Sequence, residues 1–214
     1  MMLLALDTST STASLAVYDG QRVLSETSWL AGREHSARLL VEIDAALERI
    51  GRAPRDLTGL VVARGPGSYT GVRVGLSVAL GIAAGLGVPL WAIDSLDVVA
   101  RAAGPVTLVI RALLEAGRGR LATAAYLDDR CVEPARLVSL DELVKLVATP
   151  TLVIGDLSPI VRARLAAETP ARLAPPAACL RRAGFLAELG WRRAQSGDPG
   201  TLGAVDAAYL GGSG

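Results

Sequence analysis

A carboxylate and a run of hydroxyl groups stand together near the start of the chain. A short apolar stretch ends at Asp7, and Thr8, Ser9 and Thr10 follow it directly. Where a strand ends in such a turn, a carboxylate can hold a metal ion and hydroxyl and amide groups can face phosphates. The same residue types also satisfy the backbone of a tight turn without any ligand. Both interpretations stay open for these four residues, which we treat as a degenerate phosphate-type loop.

A second candidate segment is rich in glycine. A predicted strand at 57–63 leads into Gly65-Pro66-Gly67-Ser68-Tyr69-Thr70-Gly71, and a predicted helix follows. The free N–H groups at a helix start can bind an anion. The segment lacks the Gly-Lys-Ser/Thr ending of a phosphate-binding P-loop. The glycines could equally serve only a tight turn and close packing.

The sequence gives little support to metal-dependent chemistry. His35 is the single histidine and Leu39 stands one helical turn later, so a two-histidine zinc site cannot form. Cys131 and Cys179 lie far apart without metal-type spacing, which excludes a disulfide framework and points to a reducing compartment. We therefore expect no metal, no cofactor and a cytoplasmic location, with His35 at a helix start or in a contact between lobes.

The charge balance argues against independent binding of nucleic acid. The chain has 22 Lys plus Arg and 21 Asp plus Glu among 214 residues, so no excess of positive charge is available for a phosphate backbone. If RNA is involved, we expect another protein to hold it. With 51% hydrophobic residues the chain can bury one large core or two compact lobes.

The predicted elements suggest mixed sheets flanked by helices in two lobes. The first lobe, 1–103, opens on three antiparallel strands at 3–7, 13–18 and 22–29, with Asp19-Gly20 as a two-residue hairpin signal. A helix at 34–50, the 57–63 strand, a helix at 71–86 and a strand at 88–93 follow. The second lobe, 104–214, is predicted to contain strands at 106–111, 119–127, 131–138 and 151–154 and helices at 141–147, 159–167 and 177–195. The last helix could return to the first lobe.

The helix at 71–86 is apolar almost all round. The run from Val74 to Ile93 carries no charge and is as long as a membrane span, but Gly85, Gly87 and Pro89 interrupt it, which favours a helix followed by a buried strand. Small residues recur every four positions in two rows, which would let neighbouring helices approach closely. The rows are Gly71, Gly75, Ala79 and Ala83, and Ser77, Gly81 and Gly85. An apolar surface beyond what the sheet can cover indicates an association site, although burial by the rest of the chain stays an alternative.

Four segments together resemble the TsaB (YeaZ) family. They are Leu4-Ala5-Leu6-Asp7-Thr8-Ser9-Thr10, Arg33-Glu34-His35-Ser36, Arg64-Gly65-Pro66-Gly67-Ser68-Tyr69-Thr70-Gly71-Val72-Arg73-Val74-Gly75, and Ile93-Asp94-Ser95-Leu96. The Gly-Pro-Gly-Ser-aromatic-Thr-Gly block is the most specific of them, and Arg73 belongs to the same motif. The resemblance is close over the first 100 residues and weaker beyond, where Gly117 and Gly211 replace arginines of the family pattern.

The resemblance implies an actin-like fold of the sugar-kinase and heat-shock ATPase superfamily. It implies a non-catalytic subunit that pairs with the catalytic relative TsaD, which carries the two-histidine motif that Leu39 interrupts here. It also implies that a TsaE-like ATPase joins them, that a TsaC-like protein supplies threonylcarbamoyl-adenylate, and that the complex modifies a tRNA adenosine beside the anticodon. The isolated chain could also form a homodimer.

The resemblance implies that the partner contacts the two helices of the first lobe. From it and the small-residue rows we predict an interface at His35, Val41, Ala45, Gly75, Ala79 and Ala83. An alternative function is a small-molecule phosphotransferase of the same superfamily, with Asp7 organising a metal or water. The second lobe is short and lacks a Gly-Gly-x-Gly segment to approach an adenosine, so we expect weak or no nucleotide binding.

Overall fold

The computed structural model describes residues 1–31, 35–203, 205–208 and 210, with residues 35–37 described as helical backbone only. The chain divides into two compact units. Unit 1 comprises Met1–Ser95 and Arg181–Ala208, and unit 2 comprises Leu96–Leu180 with Leu210. The predicted boundary at 103 lies eight residues after this division, because most of the helix that begins at Ser95 packs on the second sheet.

Unit 1 is built on a mixed five-stranded sheet in the order β3-β2-β1-β4-β5. β1 to β3 form an antiparallel meander, and β4 and β5 continue from β1 in parallel. The strands are β1 (Leu3–Asp7), β2 (Thr12–Tyr18), β3 (Val23–Leu30), β4 (Gly59–Ala63) and β5 (Leu90–Ile93), and the helices are α1 (His35–Arg49), α2 (Tyr69–Leu86) and α6 (Ala183–Gln195). The three predicted antiparallel strands and the α2–β5 division of the long apolar run are thus confirmed.

The two faces of the first sheet are covered by different helices. Leu4 and Leu6 of β1 pack with Leu39 of α1 and Leu76 of α2 in one core. Leu60 and Val62 of β4 belong to the same core. Because successive strand residues point to opposite faces, Val61 between them faces the other side of the sheet. There α6 passes so closely that a Cβ on Gly190 would collide with Val61. The central strands β1 and β4 are therefore buried on both faces, which explains their continuous apolar runs.

Unit 2 repeats the strand connectivity of unit 1. Its sheet has the order β10-β9-β6-β7-β8, with an antiparallel meander from β6 to β8 and parallel pairing of β6, β9 and β10. The elements are α3 (Ser95–Ala102), β6 (Val109–Glu115), β7 (Leu121–Leu127), β8 (Arg130–Val138), α4 (Leu140–Leu146), β9 (Thr151–Gly155), α5 (Pro159–Glu168) and β10 (Arg172–Leu173). Residues of α3 pack on one face of this sheet, and residues of α4 and α5 pack on the other.

Several predicted bounds were wrong for local reasons. The Asp19-Gly20 hairpin is a four-residue turn, because the Asp19 carboxylate accepts the N–H groups of Gln21 and Arg22 and delays β3 to Val23. The last helix begins at Ala183, because Pro176–Cys179 forms a separate 3-10 turn. α3 was not predicted, since its eight residues are too few for a clear helical period.

A C-terminal strap, defined as the described residues of 198–208, runs from α6 back along unit 1. Thr201 and Leu90 exchange two backbone hydrogen bonds of 2.9 Å, so the strap pairs with β5. Further along, the N–H of Ala208 donates to the carbonyl of Arg64 at 2.7 Å. The strap therefore links α6, the outer edge of β5 and the start of the glycine-rich segment.

Two helical glycines provide a test of this packing. Gly81 of α2 has open space where a Cβ would stand, whereas a Cβ on Gly190 of α6 meets the buried side chain of Val61. We expect Gly81→Ala to raise the free energy of unfolding of the isolated chain by about 1 kcal/mol through helix propensity. Gly190→Ala should lower the free energy of unfolding. Its gain in helix propensity is similar, but overpacking against Val61 costs roughly 1–3 kcal/mol and outweighs that gain. Thermal melting of the two variants measures both signs, and an unchanged or raised Tm for Gly190→Ala would contradict the close α6–β4 packing.

Candidate functional site

Asp7 lies at the carboxyl end of β1 and is completely buried. Its Oδ1 accepts two hydrogen bonds from Ser9, from the backbone N–H at 2.9 Å and from the hydroxyl at 2.6 Å. Its Oδ2 forms an ion pair with the Nη2 of Arg181. Both carboxylate oxygens are therefore engaged by this chain's own groups.

Arg181 reaches Asp7 from the segment that precedes α6. Only 4% of its side chain is exposed, against 1% for Asp7, so the two charges neutralise each other in the interior of unit 1. The guanidinium also donates to the hydroxyl of Ser9 at 3.2 Å and to the carbonyl of Ser95 at 3.3 Å. One side chain thus connects the turn after β1 with the residue that begins α3.

The backbone of Arg181 is itself fixed to β3. The hydroxyl of Ser28 donates to the Arg181 carbonyl at 2.8 Å. Glu26 accepts hydrogen bonds from the Arg182 side chain and from the N–H of Gly184 at 2.7 Å, which satisfies a free donor at the start of α6. The guanidinium therefore enters the Asp7 turn from a well-anchored position.

The glycine-rich segment packs directly on the Asp7 turn. The N–H of Ser68 donates to the carbonyl of Ser9 at 2.6 Å, and the hydroxyl of Thr8 donates to the carbonyl of Gly71 at 2.7 Å. A Cβ on Gly67 or Gly71 would collide with the carbonyls of Ser9 and Thr8, so glycine is required there by the close approach of the two backbones. The structure thus packs the two predicted segments directly against each other.

Other members of the two segments have local roles. The Ser68 hydroxyl caps α2 by accepting the N–H of Gly71 at 3.2 Å. Thr10 accepts from the N–H of Thr12 and donates to its carbonyl, and Pro66 is buried. Thr70 is exposed, and the exposed Arg73 stacks on the Tyr69 ring with 3.9 Å to its centroid. Thr8, Ser9 and Thr10 thus serve turn and helix-end hydrogen bonds.

This geometry does not fit a bound metal and nucleotide at Asp7. A divalent cation takes oxygen ligands, but the carboxylate that would supply them faces a guanidinium and the Ser9 donors. Within the ranges that the structure describes, no three His, Cys, Asp or Glu side chains are grouped as metal ligands.

Apolar and small residues are accessible on the outer sides of α1 and α2. Val41 is 65% exposed and Ala45 is half-buried on α1. On α2, Ser77, Gly81 and Gly85 are exposed and Val74, Val78 and Ile82 are half-buried. A shallow depression of about 360 Å³ on α2 is lined by Tyr69, Thr70, Arg73, Val74, Ser77 and Val78. α2 has the length and apolar character of a membrane span, and a third of it is buried within the protein.

The predicted interface residues differ in exposure: Val41 and Ala45 on α1 are accessible, whereas the predicted residues on α2 are buried. The structure buries Gly75, Ala79 and Ala83, with Ala79 at 0% and Ala83 at 3% exposure, so this row faces the protein's own core. Our choice of that row for partner contact is therefore corrected. The opposite row, Ser77, Gly81 and Gly85, faces outward. The side chain of His35 and the residues Gly32, Arg33 and Glu34 lie outside the described part of the chain.

Sequence reasoning missed Arg181. The residue lies 174 positions from Asp7, beside a second arginine before a helix, and nothing in that pattern marks it as a partner for a buried carboxylate. Asp7 did carry a signal, because a carboxylate at the end of a buried strand needs a countercharge somewhere in the chain.

Comparisons with known proteins place the chain in a family. Residues 29–155, more than half of the chain, match the family model described as TsaD: tRNA N6-adenosine threonylcarbamoyltransferase. The tRNA threonylcarbamoyladenosine biosynthesis protein TsaB of Bacillus subtilis (strain 168) is 33% identical over 162 residues, which cover 72% of this chain and 71% of that protein.

Solved structures agree on the fold. A Pseudomonas aeruginosa protein described as similar to peptidase YEAZ superposes with a TM-score of 0.82 at 24% identity, covering 98% of this chain and 99% of that one. Component A of the (R)-2-hydroxyglutaryl-CoA dehydratase of Acidaminococcus fermentans superposes with a TM-score of 0.57 at 11% identity, covering 91% and 99%. The predicted actin-like α/β fold with two mixed sheets is confirmed. From the sequence relationship and its length, the chain belongs to the TsaB (YeaZ) family.

Proposed function

We propose that this chain is the non-catalytic subunit of the assembly that makes N6-threonylcarbamoyladenosine in tRNA, beside the anticodon. It pairs with a TsaD-like catalytic subunit in the cytoplasm and supports threonylcarbamoyl transfer, and a TsaE-like ATPase joins the larger complex. tRNA is reached only through the complex, which agrees with the chain's balance of 22 basic and 21 acidic residues. The relationship to a TsaB protein over most of both chains carries this proposal.

The state of Asp7 supports a non-catalytic role. A phosphotransferase would need this carboxylate to organise a metal ion or a water molecule. Here the carboxylate is neutralised by Arg181 and saturated by Ser9. Leu39 stands one helical turn after the sole histidine. This chain therefore lacks the two-histidine motif that the resemblance assigns to the catalytic relative TsaD. No observation favours the phosphotransferase alternative.

The outer sides of α1 and α2 support a partner role. We define the association face as Val41, Ala45, Val74, Ser77, Val78 and Gly81, which are exposed or half-buried. Apolar side chains border small residues there, so the backbone of α2 is accessible to a helix of the partner at short range. An exposed apolar patch on a folded protein indicates an interaction site. A homodimer of the isolated chain would use the same face and would compete with the catalytic subunit.

Arginine substitutions test the association face. We expect Val41→Arg and Ser77→Arg to shift the Tm of the isolated chain by only a few degrees, because both side chains are exposed. Binding to the TsaD-like subunit should weaken by roughly 30-fold or more, as for a central interface residue worth about 2 kcal/mol. Size-exclusion chromatography of the mixed proteins and a titration measure this loss.

Two control variants separate surface from core. Ile160→Arg lies on α5 in unit 2 with 71% exposure and should leave binding unchanged. Ala79→Arg places a charge in the core of unit 1 and should unfold the protein. An arginine scan of the whole association face in which every folded variant still binds the TsaD-like subunit would refute the interface.

Reconstitution tests the assignment of activity. We expect the chain alone neither to hydrolyse ATP nor to modify tRNA, because Asp7 is not available to organise phosphate chemistry. Adding TsaD-like and TsaE-like proteins together with an enzyme that forms threonylcarbamoyl-adenylate should produce modified tRNA, and omitting this chain should reduce the yield strongly. Nucleoside analysis of the tRNA and a phosphate-release assay provide the measurements. Turnover by this chain alone would show that its chemistry is wrongly assigned.

A further inference from the structure

Within unit 1, Asp7 and Arg181 are the charged residues that the structure buries among those it describes. A buried carboxylate must be paired or bind a cation, because an isolated charge is costly in the protein interior. A carboxylate at a strand end suits a divalent cation, but the positive charge present at Asp7 belongs to an arginine side chain.

Through its two terminal nitrogens, this guanidinium binds the oxygen atoms that an external cation would use at the Asp7 turn. Arg181 bonds to Asp7, to the hydroxyl of Ser9 and to the carbonyl of Ser95. These are oxygen acceptors from two separate segments, and oxygen is also what a hard divalent cation would bind. A metal ion entering the turn would have to displace the guanidinium and leave it buried without its countercharge.

We propose that Arg181 is a built-in cation that occupies the metal position of the Asp7 turn and closes it to metal ions and metal-bound nucleotides. The turn then has a structural role, because it connects β1 to α2. The carbonyl of Ser9 accepts a hydrogen bond from the N–H of Ser68, the capping residue of α2. This inference concerns the isolated chain and is independent of the partner proposed above.

Removing the guanidinium tests the proposal, because it should open an oxygen-lined site of net negative charge. The variant is Arg181→Ala, and the cation is supplied as MnCl2 alone. We expect Arg181→Ala to melt at a lower temperature than the wild type in chelator, to regain several degrees on addition of Mn²⁺, and to bind about one equivalent by isothermal titration and paramagnetic resonance. The wild type should show neither effect.

Two matched variants show whether Asp7 is responsible. Arg182→Ala removes the neighbouring guanidinium, which is half exposed and pairs with Glu26, and its melting should not respond to Mn²⁺. The double variant Asp7→Asn, Arg181→Ala keeps the space and removes the negative charge, so it should lose the Mn²⁺ response. A folded Arg181→Ala variant that ignores Mn²⁺, or whose response survives Asp7→Asn, would overturn the proposal.

Failure of Arg181→Ala to fold is also informative. If that variant is recovered only from refolding with Mn²⁺ and the double variant refolds without it, the cation replaces the guanidinium as proposed. If Mn²⁺ does not assist refolding, the proposal is wrong. Independently, wild-type protein titrated with Mg²⁺ and ADP should give no binding heat. Binding that Asp7→Asn abolishes would show that the turn is open in the native chain.

Discussion

The ion pair between Asp7 and Arg181 is the interaction on which unit 1 depends. It joins residues 174 positions apart in a region that water does not reach. Breaking a buried pair by removing one partner costs roughly 3–5 kcal/mol, which is a large part of the 5–15 kcal/mol that stabilises an ordinary domain. Through Ser9 and Ser68 the same contact extends to the N-terminus of α2, so the segment before α6, the first strand and the helix of the association face form one connected structure.

The two sheets share a connectivity but differ in what their strand ends hold. In unit 1, the turn after β1 is buried, charged and packed against a glycine-rich segment. In unit 2, the corresponding strand β6 ends at the exposed Glu115, whose N–H donates to Asp156 at 3.2 Å. Among the described residues of unit 2, Arg111 is buried and charged, and it pairs within the sheet with Glu133 on β8. Among the residues that the structure describes, the buried carboxylate–guanidinium pair at a strand end lies in the first unit, whereas the buried Arg111 of the second unit pairs with a partly exposed carboxylate within the sheet.

Much of the fold follows from local sequence patterns, and the rest depends on distant contacts. The opening meander, α1, α2 and the buried strands were predictable, because apolar period and breaker residues such as Gly87 and Pro89 identify them. The two small-residue rows of α2 were also visible. Which row faces inward could not be read from the sequence, since the inward row packs against the distant Thr8, which lies close to Gly71 and Gly75. Arg181 was beyond local prediction because only the folded chain brings it to Asp7.

The C-terminal strap protects a strand edge of the first sheet from pairing with other chains. β5 is the last strand of the first sheet, and an unpaired outer strand offers a template to which another polypeptide can add. Thr201 occupies part of that edge with two backbone hydrogen bonds, and the side chain of Trp91 donates to the carbonyl of Asp198 at 3.1 Å beside it. A chain trimmed before the strap would keep the sheet strands and helices that the structure describes, yet would present a bare strand edge and become prone to self-assembly into aggregates.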